Sequence, residues 1–277
     1  FEFFPPKTEQ GMVKLRHVRD QLATRNPHFF SVTYGAGGST RERTVSSVLE
    51  LNEKGIATAP HISCIGATKQ TIAELLDLYK SQSIQRIVAL RGDLPSGMGI
   101  GAAGEMKYAS ELVRFIREHS GAYFSIEVAA YPEAHPQAAS ADADLRHFKE
   151  KIAAGASSAI TQYFYSADAY FYFIERCEKA GINIPVVPGI MPITNYSKLR
   201  RFSDMCGAEI PRWISKQLEA YGDDVNSIAK FGEEVVTRMC ENLLNAGAPG
   251  LHFYTLNQAQ PSLAVWDNLG LDEKIPF

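Results

Sequence analysis

One pattern limits what this chain can fold into. Short apolar, β-branched runs end abruptly in polar residues, and a stretch of helical periodicity follows each of them. The runs are Phe1–Phe4, Phe29–Tyr34, Ile56–Ser63, Ile84–Leu90, Tyr123–Ala130, Ala159–Phe164, Ile184–Ile190 and Leu251–Thr255. Between them lie helical segments: Gln10–Ala23, a stretch through Val45, Val48, Leu49 and Leu51, and one through Ile72, Leu75, Leu76 and Tyr79 that Thr68 caps. Further helices are predicted over Met106–Glu118, Asp142–Ala154, Ala167–Ala180, Tyr196–Met205, Pro211–Ala220 and Val225–Asn245, with a short one near Ser262. Strands alternating with helices build a parallel sheet, because parallel neighbours need a crossover connection. About eight such units in 277 residues, with no linker or low-complexity stretch, predict a single domain over residues 1–277, a (β/α)8 TIM barrel of the α/β class. The competing open doubly wound sheet wants a glycine-rich fingerprint after the first strand, where this chain has Pro5-Pro6.

Barrel enzymes place their chemistry at the C-terminal ends of strands. Polar residues fall there: Thr33, His61, Asp93, Tyr131, Gln162 and Asn257. Asp93 follows a strand read as buried on both faces, and an unpaired carboxylate out of water costs several kcal/mol, so it is paired, hydrated or used on a ligand. A turn pair with Arg91 is the plain alternative. Glu2 is an acid in a greasy strand; period 2 puts it on one face with Phe4 while Phe1 and Phe3 point the other way. Among aromatic groups its protonated form is favoured, which suits it to donating a proton. Asp144, His147 and Lys151 at i, i+3 and i+7 share a helix face, which a solvated surface explains as well as a phosphate or ribose contact does. His61 reads equally as a satisfied core histidine. No second histidine or carboxylate stands at ligand spacing, so no metal site is predicted. The stretches Gly35–Thr40 and Ser96–Gly104 read as glycine-rich binding loops.

Bulk properties exclude several classes. With 28 Lys+Arg against 31 Asp+Glu and a formal charge of -3, nothing marks a nucleic-acid or membrane-surface binder. No run of about eighteen apolar residues and no signal peptide are found. The four cysteines, Cys64, Cys177, Cys206 and Cys240, lie far apart in apolar segments and read as reduced core residues of a cytoplasmic protein. A chain opening on Phe1-Glu2-Phe3 without methionine reads as lacking a short leading segment.

Seven segments carry a resemblance: Phe1-Glu-Phe-Phe-Pro-Pro, Ser31-Val-Thr-Tyr-Gly-Ala, Pro60-His61, Val88-Ala-Leu-Arg-Gly-Asp-Leu-Pro, Ala129-Ala-Tyr-Pro-Glu-Ala-His-Pro, Ala159-Ile-Thr-Gln and His252-Phe-Tyr-Thr-Leu-Asn. In this order they resemble the 5,10-methylenetetrahydrofolate reductase family, in its single-domain bacterial type. That resemblance implies an FAD enzyme in which NADH or NADPH reduces the flavin and the flavin reduces methylenetetrahydrofolate in ping-pong fashion, feeding methionine synthesis. It implies Glu2 as general acid and Asp93 as the carboxylate beside flavin and pterin. It places Thr33, Tyr34, Ala36, His61, Arg91, Gly92, Asp93, Ala109, Tyr131, His135, Ala138, Asp144, His147 and Lys151 at FAD, and Glu2, Asp93, Gln162, Lys198, Phe202 and Gln258 at the substrates. It also implies a homo-oligomer.

Four positions depart from some relatives: His147 replaces an asparagine, Glu150 an arginine, Lys198 a glutamine and Gln258 an arginine. Lys198 fits either the folate's acidic tail or a solvated surface. Two other readings stand beside the reductase. A flavin-free lyase or aldolase would want a Schiff-base lysine at a strand tip, and no predicted tip carries one; a non-catalytic flavin or folate binder would need no acid.

Overall fold

The computed structural model describes residues 1–34, 38–92 and 104–271. Ala36 and Asp93 lie outside the described residues, as do nearly all of the stretch Ser96–Gly104 and the tail from residue 272. The chain divides into two compact units, Phe1–Ala129 with Arg146–Ala159, and Ala130–Leu145 with Ile160–Phe277.

In the first unit the chain runs β1 (Glu2–Phe3), α1 (Glu9–Ala23), β2 (Phe30–Val32), α2 (Gly38–Glu53), β3 (Thr58–Ser63), α3 (Lys69–Ser81), β4 (Arg86–Leu90) and α4 (Ala109–Ser120), then enters β5 (Ser125–Ala130). It also holds the end of α5 (Ala141–Ala153) and the start of β6 (Ser158–Thr161). The strands pair in parallel, with Glu2 opposite Ser31, Ser31 opposite Ala59, His61 opposite Val88, and Val88 opposite Glu127. Period 2 then sorts the two faces. One carries Phe3, Val32, Ile62, Ala89 and Val128, all buried and apolar. The other carries Glu2, Ser31, His61 and Glu127. Glu127 is buried and held by the Arg86 guanidinium and the Ser158 hydroxyl. A buried carboxylate survives there because both groups are present to pair it.

Local signals set the helix ends. Thr8 and Thr68 accept N–H groups from Gly11 and Thr71, as N-caps do. Helix α4 begins three residues later than its apolar spacing predicts. The Glu111 carboxylate reaches back to the N–H groups of Lys107 (2.6 Å) and Tyr108 (3.4 Å), which makes Tyr108 the cap and keeps Met106 outside.

The second unit holds the end of β6, α6 (Ala167–Lys179), β7 (Val186–Val187), β8 (Gly189–Ile190), α7 (Tyr196–Cys206), α8 (Arg212–Tyr221), α9 (Val225–Asn245), β9 (His252–Phe253) and α10 (Gln260–Leu269). The predicted strand Ile184–Ile190 is two strands. Pro188 has no N–H to continue a ladder, so the segment changes partner there. β7 lies next to β6, while Gly189 and Ile190 of β8 pair in parallel with His252 and Phe253 of β9. In hydrogen-bonding order the strands β1 to β7 follow the chain, and β8 and β9 form their own pair. Parallel strands in chain order with helices between them are the (β/α)8-barrel class read from the sequence.

Candidate active site

In the first unit, β1 and β3 bring Glu2 and His61 together. Glu2 Oε2 lies 3.4 Å from His61 Nε2, and the two side chains keep only 15% and 7% of their surface. Ser31, fully buried, faces Glu2 in the ladder. Removal from water pushes the Glu2 carboxyl above its ordinary value, while His61 and the Ser31 hydroxyl pull it partly back. The result is an acid that holds its proton into the range where a free glutamate has lost it. His61 is a buried histidine, and its partner is the one acid in the first strand.

The tips of β2 and β4 are tied to their neighbours through backbone. Thr33 N–H donates to the Phe3 carbonyl (2.8 Å), and Thr44 Oγ1 donates to the Thr33 carbonyl (3.0 Å). Tyr34 is half-buried, and burial raises its phenol pKa against the opposing pull of Arg41. The Arg91 carbonyl accepts from Ser63 Oγ (2.8 Å) and from the Ile65 N–H (2.9 Å). Gly92 has φ +86, and a Cβ there would stand 2.0 Å from Ser63 Oγ, so conformation and space both call for glycine.

On α5, Lys151 Nζ donates to the Ala129 carbonyl at 2.5 Å and sits 5.4 Å from the centre of the Phe148 ring. His147 Nδ1 is 3.2 Å from Glu150 Oε2, and its ring stacks on Tyr108 at 6.2 Å. Two of the departures from relatives therefore answer each other. Both side chains are more than half exposed, so the pair contributes little stability. Ala109 opens α4 beside that tyrosine.

In the second unit the loop after β5 is organised by Asp144. Its carboxylate accepts the His135 N–H at 3.0 Å, so the group that spacing left between solvent and ligand is used on backbone. His135 Nδ1 accepts the Gln137 N–H (3.0 Å), its carbonyl accepts the Ala138 N–H (2.8 Å), and its ring meets Tyr131 edge to face at 4.6 Å. Gln162 N–H donates to the Ala130 carbonyl (2.8 Å), and its own Oε1 accepts the Tyr163 N–H (3.1 Å). Lys198 and Phe202 stand at i and i+4 on α7, both exposed, with Asn195 capping the helix through the Lys198 N–H. Gln258 is exposed just past β9, where its N–H donates to the Thr255 carbonyl (2.9 Å).

Sequence reading passed over Ser31 and Tyr163. Ser31 was recoverable, because period 2 in its strand places it on the face of Thr33. Tyr163 was not, since its partners come from a helix far along the chain. Among the described residues no group of three His, Cys, Asp or Glu side chains is arranged to hold a metal ion. No described helix is long and apolar enough to cross a membrane.

Comparison with known proteins shows the family. A family model described as methylenetetrahydrofolate reductase matches residues 1–270. The chain is 42% identical over 272 residues to the 5,10-methylenetetrahydrofolate reductase of Escherichia coli, covering 98% of this chain and 90% of that one. It is 38% identical over 283 residues to methylenetetrahydrofolate reductase (NADH) 1 of Arabidopsis thaliana, covering 98% of this chain and 48% of the plant protein. Among solved structures, an uncharacterized Clostridium thermocellum protein that binds two copies of 5-methyl-5,6,7,8-tetrahydrofolic acid superposes with a TM-score of 0.67. That match spans 99% of this chain and 94% of that one at 15% identity, a likeness of fold.

Proposed function

Because the chain belongs to the methylenetetrahydrofolate reductase family, we propose that it is an FAD-dependent enzyme reducing 5,10-methylenetetrahydrofolate to 5-methyltetrahydrofolate at the expense of NADH or NADPH. The observation that carries the reading is the buried Glu2 carboxyl against His61. Reduction requires the folate's five-membered ring to open, and an acid whose pKa burial raises is suited to that step. Glu2 donates its proton to the folate nitrogen that departs as the ring carbon–nitrogen bond breaks, leaving an electrophilic iminium to accept hydride. His61 stands beside the carboxyl and Ser31 faces it in the ladder.

The residues present suit a dinucleotide. Flavin, when bound, supplies the ring that accepts hydride from the nicotinamide and delivers it to the folate, one substrate after the other. In the first unit, the Lys151 ammonium and Arg91 guanidinium fit its phosphates, Thr33 and Tyr34 bring hydroxyls, and Gly92 and Ala109 leave room for close backbone approach. His61, Ala36 and His147 complete that set. In the second unit, the Tyr131 and His135 rings fit flat groups, Asp144 fixes the His135 loop, and Ala138 follows it. Gln162, Phe202, Lys198 and Gln258 are assigned to the substrates, Phe202 by stacking. Asp93 is assigned to the developing positive charge on the pterin. The plant relatives' names favour NADH as donor. We read residues 1–277 as one catalytic domain of a cytoplasmic homo-oligomer that feeds methionine synthesis.

The raised Glu2 pKa gives a signed pH dependence. The acid works protonated, so the rate of folate reduction falls as pH rises through the elevated value, and Glu2→Gln lacks that limb. Between the ordinary glutamate value and the elevated one the folded state binds more protons than the unfolded state. Stability therefore also declines with rising pH across this window, and less so in the Gln variant. Urea melts and single-turnover rates over the same pH series check both; a wild-type rate flat in pH would remove the acid role.

The test of the function is the visible spectrum of the purified protein under anaerobic titration. Flavin absorbance that bleaches with NADH and returns on addition of methylenetetrahydrofolate supports the reading. A colourless protein that takes up no added FAD overturns it.

A further inference from the structure

Tyr163 is hydrogen-bonded to Gln162 and to Ser203, the neighbour of Phe202, and the proposed function assigns Gln162 and Phe202 to the substrates. Its backbone N–H holds Gln162 Oε1 at 3.1 Å, which fixes the carboxamide by its oxygen. Its phenol, 3% exposed, lies 3.0 Å from Ser203 Oγ, and Cys206 Sγ donates to the phenolic oxygen at 3.3 Å. Either hydroxyl can be the donor in the pair with Ser203. The phenolic oxygen thus joins two residues of one helix, Cys206 and Ser203.

Ser203 and Cys206 belong to α7, next to Phe202 and one turn beyond it. The helix has two unlike sides here: Ser203 is 4% exposed and Phe202 is 43% exposed. α7 thus presents the Phe202 ring outward and is gripped from behind at the neighbouring residue. A phenylalanine at position 163 would fill the same space and keep the ring contacts to Tyr165 (5.8 Å) and Tyr254 (6.4 Å). Burial needs no hydroxyl. What the hydroxyl adds is direction, since a hydrogen bond fixes the distance and angle of α7 against the β6 tip where apolar packing would tolerate sliding. Burial also keeps the phenol neutral far above its ordinary range, so the grip does not titrate under working conditions.

We infer that Tyr163 is a positioning residue, setting the Phe202 ring against the Gln162 amide so that the two meet a substrate as a fixed pair. The inference rests on the assignment of those two residues to the substrates. Tyr163 itself touches none of the reacting atoms.

The test uses the whole chain loaded with FAD. Tyr163→Phe is expected to raise the KM for methylenetetrahydrofolate about three- to tenfold with kcat changed less than about twofold, the size of one lost buried hydrogen bond. Ser203→Ala should reproduce it, and Ser203→Thr, which keeps a hydroxyl, should restore the KM. In a Phe202→Ala background the Tyr163→Phe change should add nothing, because it acts through that ring. Amide hydrogen exchange over residues 196–206 should quicken in Tyr163→Phe. Unchanged KM in both hydroxyl deletions, or effects that simply add in the Phe202→Ala background, would overturn the inference. If the wild-type protein reduces no folate, the proposed function falls and exchange alone decides the grip: equal protection of α7 in wild type and Tyr163→Phe refutes it.

Discussion

Glu2→Gln is expected to slow reduction of methylenetetrahydrofolate by roughly 10²- to 10⁴-fold, the usual worth of a positioned general acid. The amide keeps the size and most hydrogen bonds of the acid, so loss of the proton is isolated from loss of packing. Oxidation of NADH against an artificial electron acceptor needs no ring opening and should stay within about twofold, and FAD should remain bound. The contrast between these two rates makes the measurement decisive, and stopped-flow spectroscopy of each half-reaction gives both. An equal fall in both would point to a damaged fold; unchanged folate reduction would remove Glu2 from the chemistry. The buried ladder position opposite Ser31 and the His61 nitrogen 3.4 Å away are the reasons to expect a large effect from one atom's change.

The largest stability loss is expected at Gly189→Ala. A Cβ at that position would stand 2.1 Å from the Thr161 carbonyl oxygen and 2.5 Å from Tyr254 Cε2. Neither neighbour can retreat cheaply: the first is strand backbone, and the Tyr254 hydroxyl is itself bonded to that same carbonyl at 2.7 Å. Overpacking a well-packed core costs about 1–3 kcal/mol, and backbone that must move places this substitution at the top of that range or beyond. Urea denaturation should show a midpoint shift of that size with an unchanged slope. A loss below about 1 kcal/mol would mean that β6 and β8 are less tightly joined than these distances state.

Much of the fold was legible because it is written locally. Apolar runs and helical spacing located all the strand regions, and Thr8 and Thr68 cap α1 and α3 by short-range hydrogen bonds. The late start of α4 was hidden because apolar spacing does not register a carboxylate reaching back from Glu111. Strand seven was read as continuous although Pro188 stands inside it; the apolar pattern outweighed a residue that cannot donate to a ladder. The site divides along the same line. Period 2 put Glu2 on the correct face, but its partnership with His61 depends on the register of three strands, which no local pattern encodes. Spacing put Asp144 and Lys151 on one helix and could not say that each would spend a bond on backbone, of His135 and Ala129 respectively.

The break at Pro188 has a consequence for how this enzyme tolerates change. One short segment serves two ladders, and Pro188 between them, with no N–H to give, offers its carbonyl to the His252 N–H of the second at 3.0 Å. Gln162 is aligned by the ladder that ends at Val187, whereas Gln258 is carried by the pair formed beyond it, Gly189–Ile190 with His252–Phe253. The two ladders are tied across the break: Thr161 Oγ1 accepts the Gly189 N–H at 2.9 Å, and the Tyr254 hydroxyl donates to the Thr161 carbonyl at 2.7 Å. A shift of the second ladder is therefore felt at the β6 tip, and the break at Pro188 does not free the positions of Gln162 and Gln258 from each other.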